Sequence, residues 1–278
     1  MIELNLKFYK AIFTFLLVFY FFGCGVDNNN NNEIKINDYY KKDYKKIRIL
    51  FLYSKEASQL VNDIDVKVSQ LVESTNIFFS KSDINLSIDI SGVYEFNDIH
   101  QDSFSEYIYS ASENNHIQKL KIETNSDIVT ILKPFYKNVC GLAFVINLDK
   151  NVNNISYANN ISKMALNIVG IDCPTTTLAH EIGHNLGLDH SYNQSEESQG
   201  VFKYSRGHGQ NSTFSTIMAY GSSYSTTNRI PLFSNPEIYK CSGYPCGIDE
   251  HEYMEADAVK SINKTSSFLL RIKHLLEK

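Results

Sequence analysis

The sequence predicts an α/β fold (α+β in its later part), in which sheet and helices form three layers, and three observations lead there. Short apolar runs rich in branched and aromatic residues alternate with stretches of helical period along the first two thirds of the chain. That alternation closes on a histidine-bearing helix near position 180. Beyond position 190 the chain turns polar and irregular before a final helical stretch. With 278 residues, 43% of them hydrophobic, the chain can fill one domain with short appendages.

The elements follow in order. "KIRILFLYS", 46–54, reads as a buried strand. Over 56–80, Leu60, Val61, Ile64, Val68, Leu71 and Val72 recur at spacings of three and four, so this is a helix. "INLSIDISGVYEF", 84–96, alternates apolar and polar residues as a half-buried strand does. A helical stretch over 103–121 precedes a strand at 127–133. Two more strands are expected at 141–148 and 164–171, then the histidine helix at 175–186. Strands interleaved with helices make a layered sheet, with the last helix lying against it. After His190 an irregular polar region leads to a helix from 250 to about 276. His208, His251 and His274 read as solvent-exposed, and there are no internal repeats.

The ends and the charge narrow the class. A net charge of −5 with no basic tract excludes a nucleic-acid partner. Residues 1–23 carry two lysines and then "AIFTFLLVFYFFG", too short to span a bilayer comfortably, which reads as a signal peptide. Cys24 in "FFGCG" follows a small residue, as a bacterial lipidation site would, although Phe21 and Phe22 depart from the usual pattern. Residues 24–44 are polar and asparagine-rich, a tether with no apolar period. The globular part is then 45–278, with subdomains 45–190 and 191–278, expected to be exported, monomeric, and joined to a membrane only if Cys24 carries lipid. A spacer this short is expected to hold no further folded domain between Cys24 and the first strand. Setting Cys24 aside leaves Cys140, Cys173, Cys241 and Cys246, which allow three pairings in an oxidising compartment. Cys241 and Cys246 flank a turn with Gly243 and Pro245, which favours their pairing and leaves Cys140 for Cys173. A structural metal site at these cysteines would need the paired CxxC spacing that they lack.

"TLAHEIGHNLGLDHS", 177–191, carries the chemistry. Positions four apart on a helix differ by roughly 40°, so His180 and His184 share a face. On a continued helix His190 would point roughly 240° away from His184. Gly187 can adopt the left-handed conformation that ends a helix, letting His190 swing back toward the same point. Three neutral imidazoles with one open position suit a catalytic zinc. Glu181, rotated off the ligand face, can reach a water there without displacing it. A bare HExxH is often only a polar helix face, but the added glycine and third histidine make coincidence negligible.

These residues resemble the metzincin metallopeptidases, whose pattern HExxHxxGxxH is met without a mismatch. "STIMAYG", 215–221, is similar to the methionine turn of that family, with Met218 as its methionine. "VCGLAFV", "HNLG", "TIMAY" and "PLFSNP" are similar to the bacterial reprolysin-like (adamalysin-type) branch that includes peptidyl-Asp metallopeptidases. Ser191 departs from it, since aspartate commonly follows the third histidine there. The resemblance implies a twisted, mostly parallel five-stranded sheet and a Zn2+-dependent endopeptidase acting on polypeptide substrates. It implies zinc held by His180, His184 and His190, with Glu181 as the base. Substrate would lie along an edge strand at 141–148. Tyr220 either donates to a developing oxyanion or is merely structural. Arg229, in the segment 226–236 that walls the pocket after the scissile bond, either selects acidic side chains or faces solvent beside an apolar pocket.

Two rivals stand beside this reading. One is a catalytically silent zinc-containing surface binding protein or adhesin, which would have no use for Glu181. The other is a hydrolase of non-peptide amides, which the motif alone permits and the polypeptide cleft of the resembling family disfavours.

Overall fold

The computed structural model describes residues 44–99, 103–147 and 154–276. The signal, most of the tether and Cys24 lie outside the described residues. Among those residues, no helix is long and apolar enough to cross a membrane.

β1 (Lys45–Tyr53) is an inner strand of the sheet. Its alternate residues serve two cores, as a strand buried on both faces must. Ile47, Ile49 and Phe51 belong to one apolar cluster, and Leu50 and Leu52 to another. The strand order is β2 (Leu86–Glu95), β1, β3 (Ile128–Lys133), β5 (Leu166–Gly170) and β4 (Gly141–Ala143). All pairings are parallel except that of β4, which runs antiparallel to β5 at one edge. The five-stranded, mostly parallel sheet therefore matches the expectation.

Helices cover both faces. α1 (Lys55–Ser58) is a single turn, and α2 (Ile64–Lys81) packs Val68, Leu71, Val72 and Phe79 into the first cluster. α3 (Phe104–Ser112) and α4 (Asn115–Glu123) supply Phe104, Tyr107, Ile108 and Ile117 to the second. Each long helical stretch expected from periodicity is thus two helices. The breaks fall at Asp63 and Asn114, whose side chains accept from Val66 and from His116 and Ile117 backbone N–H groups and so begin new helices. α5 (Ile155–Met164) was not foreseen; Asn154 caps it, and its few buried apolar residues, Ala158 and Ile161, hide its period.

Two expectations are corrected. The strand placed at 141–148 ends at Ala143, because the next residues bond to α6 (Thr176–Asn185) instead. Asn185 donates to the Phe144 carbonyl, and Ile146 N–H donates to the His184 carbonyl. The final helix placed at 250–276 is α7 (Ala258–Leu276). The residues before it form a turn closed by Ile248 and Ala256, with Met254 at φ 65.

Between α6 and α7 the chain is mostly irregular, holding the short pair β6 (Gly209–Gln210) and β7 (Phe214–Ser215) and a 3-10 turn, Gly221–Tyr224. It is sewn to the sheet layer by specific bonds. Ser82 accepts from Phe233 N–H, and Asn235 donates to the Ser82 carbonyl. Thr265 of α7 donates to Leu186 at the end of α6. The disulfides are Cys140–Cys173 and Cys241–Cys246, the favoured pairing.

His208 also departs from expectation. It is half-buried, with its ring 5.7 Å from that of Phe214. Burial pushes its pKa down to about 4. Below the unfolded value of about 6.5, the unfolded chain takes a proton that the native chain refuses, so stability falls as pH drops toward 4. That loss is at most about 3 kcal/mol from this group. Between pH 7 and 4, a His208→Gln variant should lose less stability to chemical denaturant than the native chain does. Equal slopes for the two proteins would remove His208 from the acid response.

Candidate metal centre

α6 is buried almost throughout, and its two histidines face one point, with ring centroids 4.8 Å apart. The helix stops where expected. Leu188 N–H donates to the Gly183 carbonyl and Gly187 N–H to His184, the paired bonds of a Schellman cap. Gly187 has φ 84, and a Cβ there would lie 2.3 Å from Val201 Cγ2. Both the conformation and the close approach require glycine. The turn returns His190, whose backbone N–H is fixed by the Asp189 carboxylate at 2.7 Å.

Two backbone carbonyls orient the rings. His180 Nδ1 lies 2.8 Å from the Ile217 carbonyl, and His184 Nδ1 lies 2.9 Å from that of Leu188. A carbonyl only accepts, so each Nδ1 carries the proton and each Nε2 points its lone pair inward. His180 Nε2 stands 3.2 Å from Nε2 of both His184 and His190. Tetrahedral zinc with bonds of about 2.0–2.1 Å spaces its ligand atoms by roughly 3.3 Å, so these donors fit it. Burial, then the neighbouring rings, holds His180 well below the usual histidine range and His184 at about 4. Burial lowers His190 as well. Neutral imidazoles are the form that binds metal.

Glu181 is buried beside the cluster, where burial pushes its carboxyl up to about 8. A cation at the three nitrogens would oppose that shift. Met218 is fully buried, and its sulfur lies 2.6 Å from where a Cβ of Gly183 would be. The turn thus packs beneath the histidine helix, and its neighbour Ile217 supplies the carbonyl for His180. Tyr220 is 44% exposed, with its ring 4.7 Å from His190. Burial first, then Glu181, raises its pKa. Arg229 is exposed along part of its length, yet its Nη2 reaches the Ala219 carbonyl at 3.4 Å and burial lowers its pKa. Its charge also disfavours protonation of His180 and His190.

Two supporting residues, Asn185 and Gln194, were given no structural role from sequence. Asn185 takes a hydrogen bond from Asn167 and donates to the Phe144 and Leu166 carbonyls, tying α6 to β4 and β5. Gln194 Oε1 accepts both the Ser191 hydroxyl and Tyr220 N–H. Asn185 had a signal, a polar residue on the buried side of an apolar helix; Gln194 had none.

A mostly parallel sheet with one antiparallel edge strand, and a helix whose two histidines meet a third across a glycine turn, define a metallopeptidase type of domain. The chain belongs to metallo-peptidase family M12B, reprolysin-like, whose family model matches residues 50–251. It is similar to the peptidyl-Asp metalloendopeptidase of Pseudomonas aeruginosa, 30% identical over 250 residues, covering 80% of this chain and 39% of that protein. A chain in a solved chaperone–substrate complex shares the fold, with TM-score 0.63 and 22% identity over 84% of this chain and 35% of that one. Metalloproteinase-II from Bacteroides fragilis gives TM-score 0.42 and 11% identity, covering 71% of this chain and 52% of that one. This chain therefore spans well under two thirds of each of these proteins.

His190→Ala should lower zinc affinity by an order of magnitude or more, since one of three ligands is lost. Metal analysis after dialysis checks this. Full, tight zinc occupancy in that variant would place the third ligand elsewhere.

Proposed function

We propose that this chain is a zinc-dependent endopeptidase, exported and tethered at the cell surface through Cys24. The observation that carries the reading is the convergence of three histidines, with His180 Nε2 3.2 Å from Nε2 of both others, beside a buried carboxyl. His180, His184 and His190 would hold the metal. Zinc there would supply Lewis acidity toward a water and a carbonyl oxygen. Glu181 accepts the proton of that water and delivers it to the departing amine. Tyr220, half open to solvent beside His190, donates its hydroxyl to the oxygen that gains charge. An extended polypeptide lies along the outer side of β4, whose ladder bonds run only to β5 among the described residues. Two disulfides support an oxidising compartment.

For the residue after the cut, the placement of Arg229 favours an acidic side chain. Its guanidinium reaches the Ala219 carbonyl of the methionine turn, and a substrate carboxylate could pair with it there through charge-assisted hydrogen bonds. The similar Pseudomonas aeruginosa protein is named for aspartate, which supports the same preference.

Incubating residues 45–278 with a denatured protein mixture, with and without chelator, and sequencing new termini tests the activity. Glu181→Gln should cut turnover at least about a hundredfold while zinc stays bound. Undiminished turnover in that variant would overturn the mechanism. In the same digests, aspartate or glutamate should be enriched just after the cut and the enrichment should vanish in Arg229→Ala. Apolar enrichment indifferent to Arg229 would leave the pocket without its acid selector.

A further inference from the structure

Glu181 belongs to α6, but the room it occupies is set by a different element. Gly141 is the first residue of β4. A Cβ built on it would lie 2.3 Å from Glu181 Oε1, 2.6 Å from Cδ and 2.7 Å from Cγ. All three nearest atoms belong to that one side chain. Nonbonded carbon and oxygen atoms do not approach so closely, so the Glu181 carboxyl rests directly on the bare Cα of Gly141. Conformation is not the reason for this glycine, because only Gly187 and Gly243 have positive φ among the described glycines. Turning the carboxyl about its last bond would not clear an added methyl, since Cγ is itself in the way. Glu181 is 4% exposed, which leaves it few other places.

The position of Gly141 is itself held. β4 pairs through three residues only, a ladder too short to fix its own register firmly. Residue 140 just before it is anchored twice. Its carbonyl accepts Gly170 N–H at 2.6 Å, and its sulfur joins Cys173 with a Cα–Cα distance of 5.7 Å. Cys173 sits in the turn from which α6 rises. The bridge therefore fastens the start of β4 to the base of the helix that carries Glu181. Beyond β4, Asn185 of α6 binds the Phe144 carbonyl.

We propose that Gly141, secured by the Cys140–Cys173 bridge, is the positioning residue for Glu181, so that the strand offered to substrate also sets where the base stands. This rests on the reading of Glu181 as the proton-transfer group. Alanine at position 141 would push the carboxyl aside while leaving the three histidines and the outer side of β4 in place. Its effect should therefore fall on turnover more than on substrate or metal binding.

The test uses wild type, Gly141→Ala, Glu181→Ala and the double variant, each measured in two ways. In the zinc-loaded proteins, Gly141→Ala should lower kcat by between about tenfold and a hundredfold, the scale of a misplaced catalytic group, with KM and zinc content near wild type. In the chelator-treated proteins, Gly141→Ala should shift the unfolding midpoint in the wild-type background and much less in the Glu181→Ala background, because the conflict is with that side chain. If Gly141→Ala alone does not fold, the double variant should. Cys140→Ser with Cys173→Ser should also lower kcat at retained zinc. Wild-type kcat in Gly141→Ala, or equal destabilisation in both backgrounds, would overturn the proposal. Unchanged kcat without the bridge would remove the disulfide from it. A wild-type chain that cleaves no polypeptide would sink the peptidase reading, while the unfolding cycle would still decide the contact.

Discussion

Pointing three imidazole lone pairs at one another inside a protein is unfavourable unless a cation lies between them. Much of the surrounding structure exists to impose that arrangement. Each buried ring is turned inward by a backbone carbonyl behind it, Ile217 for His180 and Leu188 for His184. Those carbonyls come from the two turns that flank the cluster, the methionine turn and the helix cap. Neither turn could sit so close without a missing side chain, at Gly183 under Met218 and at Gly187 beside Val201.

The same constraint explains the asymmetry of the sheet. Its inner parallel strands β3 and β5 are buried along nearly their whole length. β4, antiparallel and at the edge, is short because the residues after it are taken by α6. Asn185 and Ile146 thereby tie the edge strand to the histidine helix. The irregular segment after His190 contributes from the opposite side, through Gln194, Tyr220 and Arg229.

Local chemistry was legible in the sequence wherever it acts over a few residues. The spacing of His180, His184, Gly187 and His190 specified a helix, its end and a shared ligand point, because helix geometry and the conformational freedom of glycine are local properties. Strand positions were legible from apolar runs for the same reason. The asparagine and aspartate caps that divide the two helical stretches were also written there, but periodicity outvoted them. The end of β4 was not legible, because it depends on bonds to residues some forty positions away.

The sequence by itself thus determined the meeting of three histidines, the carboxyl beside them and the alternation of strands and helices. Only the tertiary structure decided which carbonyls orient the rings, that His208 is half-buried, and that Arg229 reaches the Ala219 carbonyl. It also decided that the room for Glu181 is defined by a glycine forty residues earlier in the chain. The physical reason is the range of the interactions. Backbone periodicity and turn propensity act between neighbours, whereas burial, carbonyl orientation and steric room are properties of atoms that meet only when the chain has folded.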